Sequence, residues 1–279
     1  NQDDTQPAIP AHLARHFHPF GSHWPPAKFE SKHDGYLFVT PGDCDSDKLK
    51  EHNYAALSNL AIREGYPGRY LQTAWAIRHA SPLRAIYEDE PTAGGWAAYC
   101  EERAKEMGFD DTPPSRFMML QSQLLAAVRV VLDAKLAAGK MTFQESVEAL
   151  IDHLGMDRIC AEAESRRFVT QPGVPMLHVW GRERLKDLRK WAKDRMEVRF
   201  TDAFFHTSIL QAGAIPVPLL KRELEAKIAV ELSHPLEPVP AKKDDRKHPP
   251  APEVKAKPAP KARPKPKPKA RKAGKKKKR

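Results

Sequence analysis

The chain has 279 residues, 41% of them hydrophobic and 30% charged, with a formal net charge of +11, which is enough apolar material for one or two packed domains. Its three cysteines, Cys44, Cys100 and Cys160, lie far apart, a pattern that excludes a disulfide framework or a thiolate zinc site and suits small buried thiols. The charge does not mark the folded body as a nucleic-acid binder: eighteen Lys and Arg against three acids between Ala241 and Arg279 give that stretch +15 and leave the rest of the chain at −4.

Residues 1–34 are rich in Pro and His and follow neither a helical nor a strand period, so they read as an irregular lead-in. Gly35–Thr40 (GYLFVT), aromatic and β-branched and closed by Pro41-Gly42, is the one strand candidate. From Ser46 onward helical period takes over. Ser46-Asp47 caps a helix running to about Glu64, and Pro67 opens another to about His79. Ala93–Met107 is a helix stopped by Gly108; Thr112-Pro113-Pro114 opens a long one ending at Gly139. In that long helix Leu120, Leu124, Val128, Val131 or Leu132, and Leu136 recur at helical spacing, which predicts a buried stripe. Thr142-Phe-Gln-Glu145 is a capping box for a helix ending at Gly155. Four more helices follow at about 157–169, 175–196, 201–212 and 216–232. The predicted body, residues 35–232, is therefore mainly α with one small β element. After about Ser233 Pro, Lys and Ala dominate, and residues 233–279 are expected to form a disordered basic tail.

Five motifs occur in order: Glu64-Gly-Tyr-Pro67-Gly68, Gly95-Trp96-Ala-Ala-Tyr99, Arg129-Val-Val-Leu-Asp133, Glu164-Ser-Arg-Arg167 followed by Pro172-Gly173, and Phe205-His206 with Leu210, Gly213 and Pro216. Together, over about residues 35–228, they resemble the C-terminal half of a bacterial family of unknown function, numbered 885 among such domains and related to helical zinc metallopeptidases. The resemblance implies a zincin-like helical fold without the family's large N-terminal helical portion, whose place another chain or a cleaved portion could take. In that family two histidines and a glutamate would hold zinc, with a glutamate beside the first histidine as base toward the bound water. Carried over, the first histidine falls on Arg63, the base on Glu64, the second histidine on Arg69 and the ligand glutamate on Gly94. Further family positions fall on Ala137, Phe168, Val174 and His178, and Ala137 and Phe168 remove donors that chemistry would use.

A guanidinium offers donors only and stays charged, so neither arginine can ligate zinc. No cofactor is expected, and Glu64 is read as a vestigial base. Arg63 or Arg69 is expected to take the space and charge of a metal and to pair with Glu64; alternatively both arginines face solvent. Tyr66, Arg167 and His178 are the cleft candidates, with peptide as the implied ligand.

Other constellations have structural explanations. His16, His18 and His23, with His12 and His33 nearby, could bind a metal through H-x-H but are otherwise a Pro-His-rich loop packing on the body. Glu101-Glu102 and Glu162/Glu164 look like helix carboxylates, Glu101 at ion-pair spacing from Lys105 and Arg129 likewise from Asp133. His206 reads as a core or cleft histidine bonded to backbone; Trp96 and Tyr99 read as packing residues. In the tail, Lys265, Lys267, Lys269, Lys275, Lys276, Lys277 and Lys278 form an extended polycation suited to nucleic acid, anionic lipid or acidic polymers, or else a solubilising spacer. No apolar run approaches membrane-span length, and no signal segment opens the chain, which starts with Asn. The compartment stays open, with the cytoplasm slightly favoured.

Three functions therefore stand. The first is an inactive peptidase relative acting as a binding or scaffolding module. The second is an active metal-dependent peptidase with unrecognised ligands and Glu64 as base, and the third a non-specific nucleic-acid binder working through the tail.

Overall fold

The computed structural model describes residues 16, 18, 20–29, 34–40 and 53–235. The chain divides into Asn1–Pro235 and Leu236–Arg279, and the second unit, with every tail lysine named above, lies outside the described residues.

The only sheet among the described residues is a two-stranded antiparallel ribbon. β1 (Gly21–Trp24) pairs with β2 (Tyr36–Val39) in the register Gly21↔Val39 to Trp24↔Tyr36. β2 is the predicted strand. β1 corrects the reading of the lead-in as irregular, because four residues followed by Pro25-Pro26 are too short to show a period of two. Trp24 meets Phe38 edge-on at 5.6 Å and so fixes the pairing on one face.

Helices make the rest. α1 (Tyr54–Leu60) runs into a π-helical turn at Ala61–Gly65; α2 (Arg69–Ala76) and the short α3 (Pro82–Ile86) follow. Next come α4 (Glu90–Glu106), α5 (Pro113–Ala137), α6 (Phe143–Leu154), α7 (Arg158–Thr170) and α8 (Val174–Met196). A 3-10 turn at Glu197–Arg199 leads to α9 (Asp202–Ala212) and α10 (Val217–Ser233). The expected caps form: Thr112 accepts from the Ser115 amide, Thr142 and Glu145 make a reciprocal capping box, and Gly155 closes α6 with a left-handed φ of 63°. α1 begins later than the expected cap at Ser46-Asp47, which lies outside the described residues, and Asn53 caps it instead. α4 starts at Glu90, a turn earlier than expected, because Asp89 caps it and Pro91 sits in its first turn. α3, not expected, opens on Ser81-Pro82.

The main core packs α4 and α8 together with α9 and α10 around Trp96, Leu185, Phe205 and Leu224. α4 and α8 touch backbone to backbone: a Cβ at Gly95 would stand 2.4 Å from the Gly181 carbonyl carbon, and one at Gly181 would stand 1.7 Å from the Pro91 oxygen. A second core joins α5, α6 and α7 around Leu132, Val147, Leu150 and Phe168.

The stripe predicted on α5 is corrected. Leu132 is buried, and Val128 and Leu136 pack on the second core, but Leu120, Leu124 and Val131 are exposed. The helix is apolar nearly all round, so its period does not select a face. Polar groups do: Arg129 reaches Glu164, and Asp133 accepts from the Gly173 amide at 2.8 Å. By length and composition α5 could cross a membrane, although the sequence shows no unbroken apolar run, and only 17% of its most apolar window is buried.

The two ion pairs expected within single helices do not form. Arg129 bonds Glu164 on α7 rather than Asp133, and Lys105 turns away from Glu101 to donate to Ser115 Oγ at 2.5 Å and to the Asp110 carbonyl at 3.1 Å. In each case a partner on another element offers better burial than the neighbour four residues away. Ser58 and Ser115 also donate to Asp110, and Asn59 donates to the Ser115 carbonyl, so one buried polar cluster ties α1, α4 and α5 together.

Candidate functional site

A cleft of about 200 Å³ opens between α1, the π-turn, α5, α7 and α8. The π-turn presents Arg63 and Glu64. The Gly68 amide then bonds the Ile62 carbonyl at 3.0 Å, folding the chain back so that Arg69, at the start of α2, faces the same space. α4 contributes Glu101, α5 contributes Ser122 and Arg129, α7 contributes Arg167 and α8 contributes His178. Phe20 and Gly21 of the β-ribbon border it, which gives the lead-in a place at the site that its composition did not reveal.

Glu64 sits between two guanidiniums, with Arg63 Nε 3.7 Å from Oε1 and Arg69 Nε 3.4 Å from Oε2. These are ion-pair distances, longer than a hydrogen bond. Arg63 also faces Glu101 at 3.6 Å and Ser122 Oγ at 3.3 Å. Glu64 is thus ion-paired with the arginines, although not through the charge-assisted hydrogen bond expected, and both arginines are mostly buried rather than turned to solvent. Arg129 is differently placed: its Nε donates to the buried Glu164 at 2.8 Å, and its Nη2 lies 2.6 Å from the other carboxylate oxygen as an ion pair.

Burial pushes the Glu101 carboxyl up to about 7, against the pull of Arg63 and Lys105. Burial likewise holds His178 below the ordinary histidine range, more strongly than the Glu90 carboxylate raises it. His178 is therefore neutral near pH 7 and donates its Nε2 proton to ionised Glu90. His18 and His23 are lowered by burial too, and both lie near enough to feel Glu64.

Of the predicted cleft residues, Arg167 and His178 line the site, whereas Tyr66 is 69% exposed and does not. Gly94 lies beside the cleft under the His178 ring, where a Cβ would stand 2.0 Å from Cδ2. Ala137 is exposed at the end of α5, and Phe168 is in the second core. Trp96 and Tyr99 are core residues as expected. His206 bonds the Tyr99 hydroxyl at 2.8 Å rather than backbone. Glu102 pairs with Lys186 and Glu162 with Arg166, so neither doublet makes a carboxylate pair.

The sequence reading missed Glu90, Glu101 and Ser122. Positions 90, 94 and 101 share one face of α4, four and then seven residues apart, and that spacing was the available signal.

At the positions that the resemblance assigns to metal ligands, the side chains do not fit an ion. Arg63 and Arg69 carry no lone pair, and the space over Gly94 is filled by His178. Among the described residues no group of three His, Cys, Asp or Glu side chains is gathered to hold one; His12 and His33 of the imidazole cluster lie outside them.

No curated protein matches the chain. Solved structures do, two of them as follows. One is from Colwellia psychrerythraea, described as a "putative lipoprotein", with 28% identity and a TM-score of 0.71 over 80% of this chain and 37% of that one. The other is from Shewanella oneidensis, described as a "putative lipoprotein of unknown function", with 25% identity and a TM-score of 0.62 over 72% and 38%. The chain thus spans well under half the length of either. A family model matches residues 8–224, starting earlier than the motifs alone suggested and taking in the β-ribbon. The chain belongs to the family of bacterial proteins of unknown function designated DUF885.

Proposed function

We propose that this domain is a non-catalytic binding module on a scaffold akin to the helical zinc metallopeptidases, with guanidinium groups in place of a metal. The observation that carries the reading is the Arg63–Glu64–Arg69 arrangement at the wall of the cleft. A carboxylate held between two permanent cations is engaged by them rather than free to act as a base. Phe168, buried in the second core, offers no hydroxyl to an oxyanion. In this reading the cleft binds and the chemistry is absent, while the tail adds attachment to an anionic polymer or surface.

The test is the metal content of full-length protein purified from zinc-supplemented medium, read by mass spectrometry beside a peptide-hydrolysis assay. The expected result is no stoichiometric zinc and no hydrolysis above background. One equivalent of chelator-resistant zinc, with hydrolysis abolished by Glu64→Gln, overturns the proposal in favour of an active peptidase.

A further inference from the structure

The arginines of the cleft differ in how well their donors are used. Arg129 is closely engaged by Glu164, with a 2.8 Å hydrogen bond from Nε and a 2.6 Å ion-pair contact from Nη2. Arg63 and Arg69 are not: they share Glu64 at 3.7 and 3.4 Å, Arg63 makes only long contacts to Glu101 and Ser122, and the buried Nε of Arg69 has no hydrogen-bond partner. Arg167 approaches Glu164 no closer than 3.8 Å and is nearly half exposed, at the mouth. A guanidinium bonded to an oxyanion prefers about 2.7–2.9 Å. Three guanidiniums around one small cleft thus keep donors available for an oxyanion that the protein itself does not supply.

The charge balance sets the size of that anion. Arg63, Arg69, Arg129 and Arg167 face Glu64, Glu164 and, through His178, Glu90. Below about pH 7, where Glu101 keeps its proton, one positive charge is left over. A monoanion meets that surplus, whereas a dianion would be repelled by the resident carboxylates. Much of the remaining wall is apolar, made by Phe20, Leu57, Leu60, Met118, Leu125 and Met156, with Asn59, Gln121 and Ser122 as its polar part. Such a wall gains from covering hydrocarbon, about 25 cal/mol per Å² of apolar surface buried.

We propose that the cleft is a receptor for a small carboxylic acid with an apolar body, its carboxylate held by Arg63 and Arg69 with Arg167 at the mouth and its hydrocarbon lying along α1 and α5. The inference rests on the reading of the cleft as metal-free. It goes further by naming the head group, its charge and the character of the rest of the ligand.

The probe is octanoate, titrated calorimetrically into the full-length protein, with acetate, inorganic phosphate and octanol as comparators. Octanoate should bind once and saturably, about tenfold or more tighter than any comparator, since each 1.4 kcal/mol of head-group or hydrocarbon contact is a factor of ten. Arg69→Gln should weaken it at least about tenfold, and the more exposed Arg167→Gln about threefold, which serves if the first variant does not fold. The tail is the same in every protein, so its weak anion binding cancels. Unchanged affinity in folded variants overturns the inference, as does phosphate or octanol binding as tightly as octanoate. The zinc content of the same preparation separates the two ideas. Zinc-free protein that ignores octanoate sinks the receptor alone, and stoichiometric zinc sinks both.

Discussion

Glu101 is the most informative single side chain in the cleft. Its folded-state carboxyl titrates near 7 because burial outweighs Arg63 and Lys105, against an ordinary value of 4.5. Between those values the folded protein holds a proton that the unfolded chain releases, so this group's contribution to stability is present at low pH and is lost as pH rises through about 7. Glu101→Gln removes the titration. Measured by denaturant unfolding, the variant should therefore gain on the wild type between pH 5 and pH 8, by on the order of 2–3 kcal/mol. Equal pH slopes would show that the carboxyl is not desolvated. The buried histidines act in the opposite sense, destabilising as pH falls, and the comparison leaves them unchanged. The pairing of Glu64 with its flanking arginines was legible in the sequence, because the three stand around one turn. Glu101 was not, because its partner Arg63 lies on another element and local spacing pointed to Lys105 instead.

At the scale of the element, helix existence and caps were readable and helix orientation was not. Thr112, Thr142 and Gly155 act locally, through amides and carbonyls a few residues away, so their signals survive in the sequence. The facing of α5 depends on partners in α7 and in the turn before α8 that no period encodes, which is why Leu120 and Leu124 lie outside. The same lesson gives a prediction for α4. Lys105 is buried and bonded to Ser115 and the Asp110 carbonyl, so Lys105→Met leaves Asp110 and Ser115 without their cation. The expected loss is about 2–4 kcal/mol, seen as a lower thermal midpoint. A change under about 0.5 kcal/mol would mean that water replaces the ammonium.

For the whole molecule, the charge separates from the fold. The body is mildly acidic and the last stretch strongly basic, so polyanion binding should belong to the tail. Affinity for a DNA duplex should fall steeply between about 50 and 200 mM salt, and deleting the residues after Pro235 should abolish it. Binding unchanged by the deletion would place the contact on the body instead. The chain covers only 37% and 38% of its solved relatives, so what those longer proteins do is no guide to this domain acting alone.

The contact between Gly94 and the His178 ring has a consequence for substitution. Any side chain longer than hydrogen at 94 meets that imidazole at 2.0 Å, and the imidazole is itself tethered to Glu90. A longer side chain could be placed at position 94 only after the imidazole at 178 had shifted or been replaced. Positions 94 and 178 are therefore coupled: a substitution at 94 is accommodated only together with a change in the place of the His178 ring.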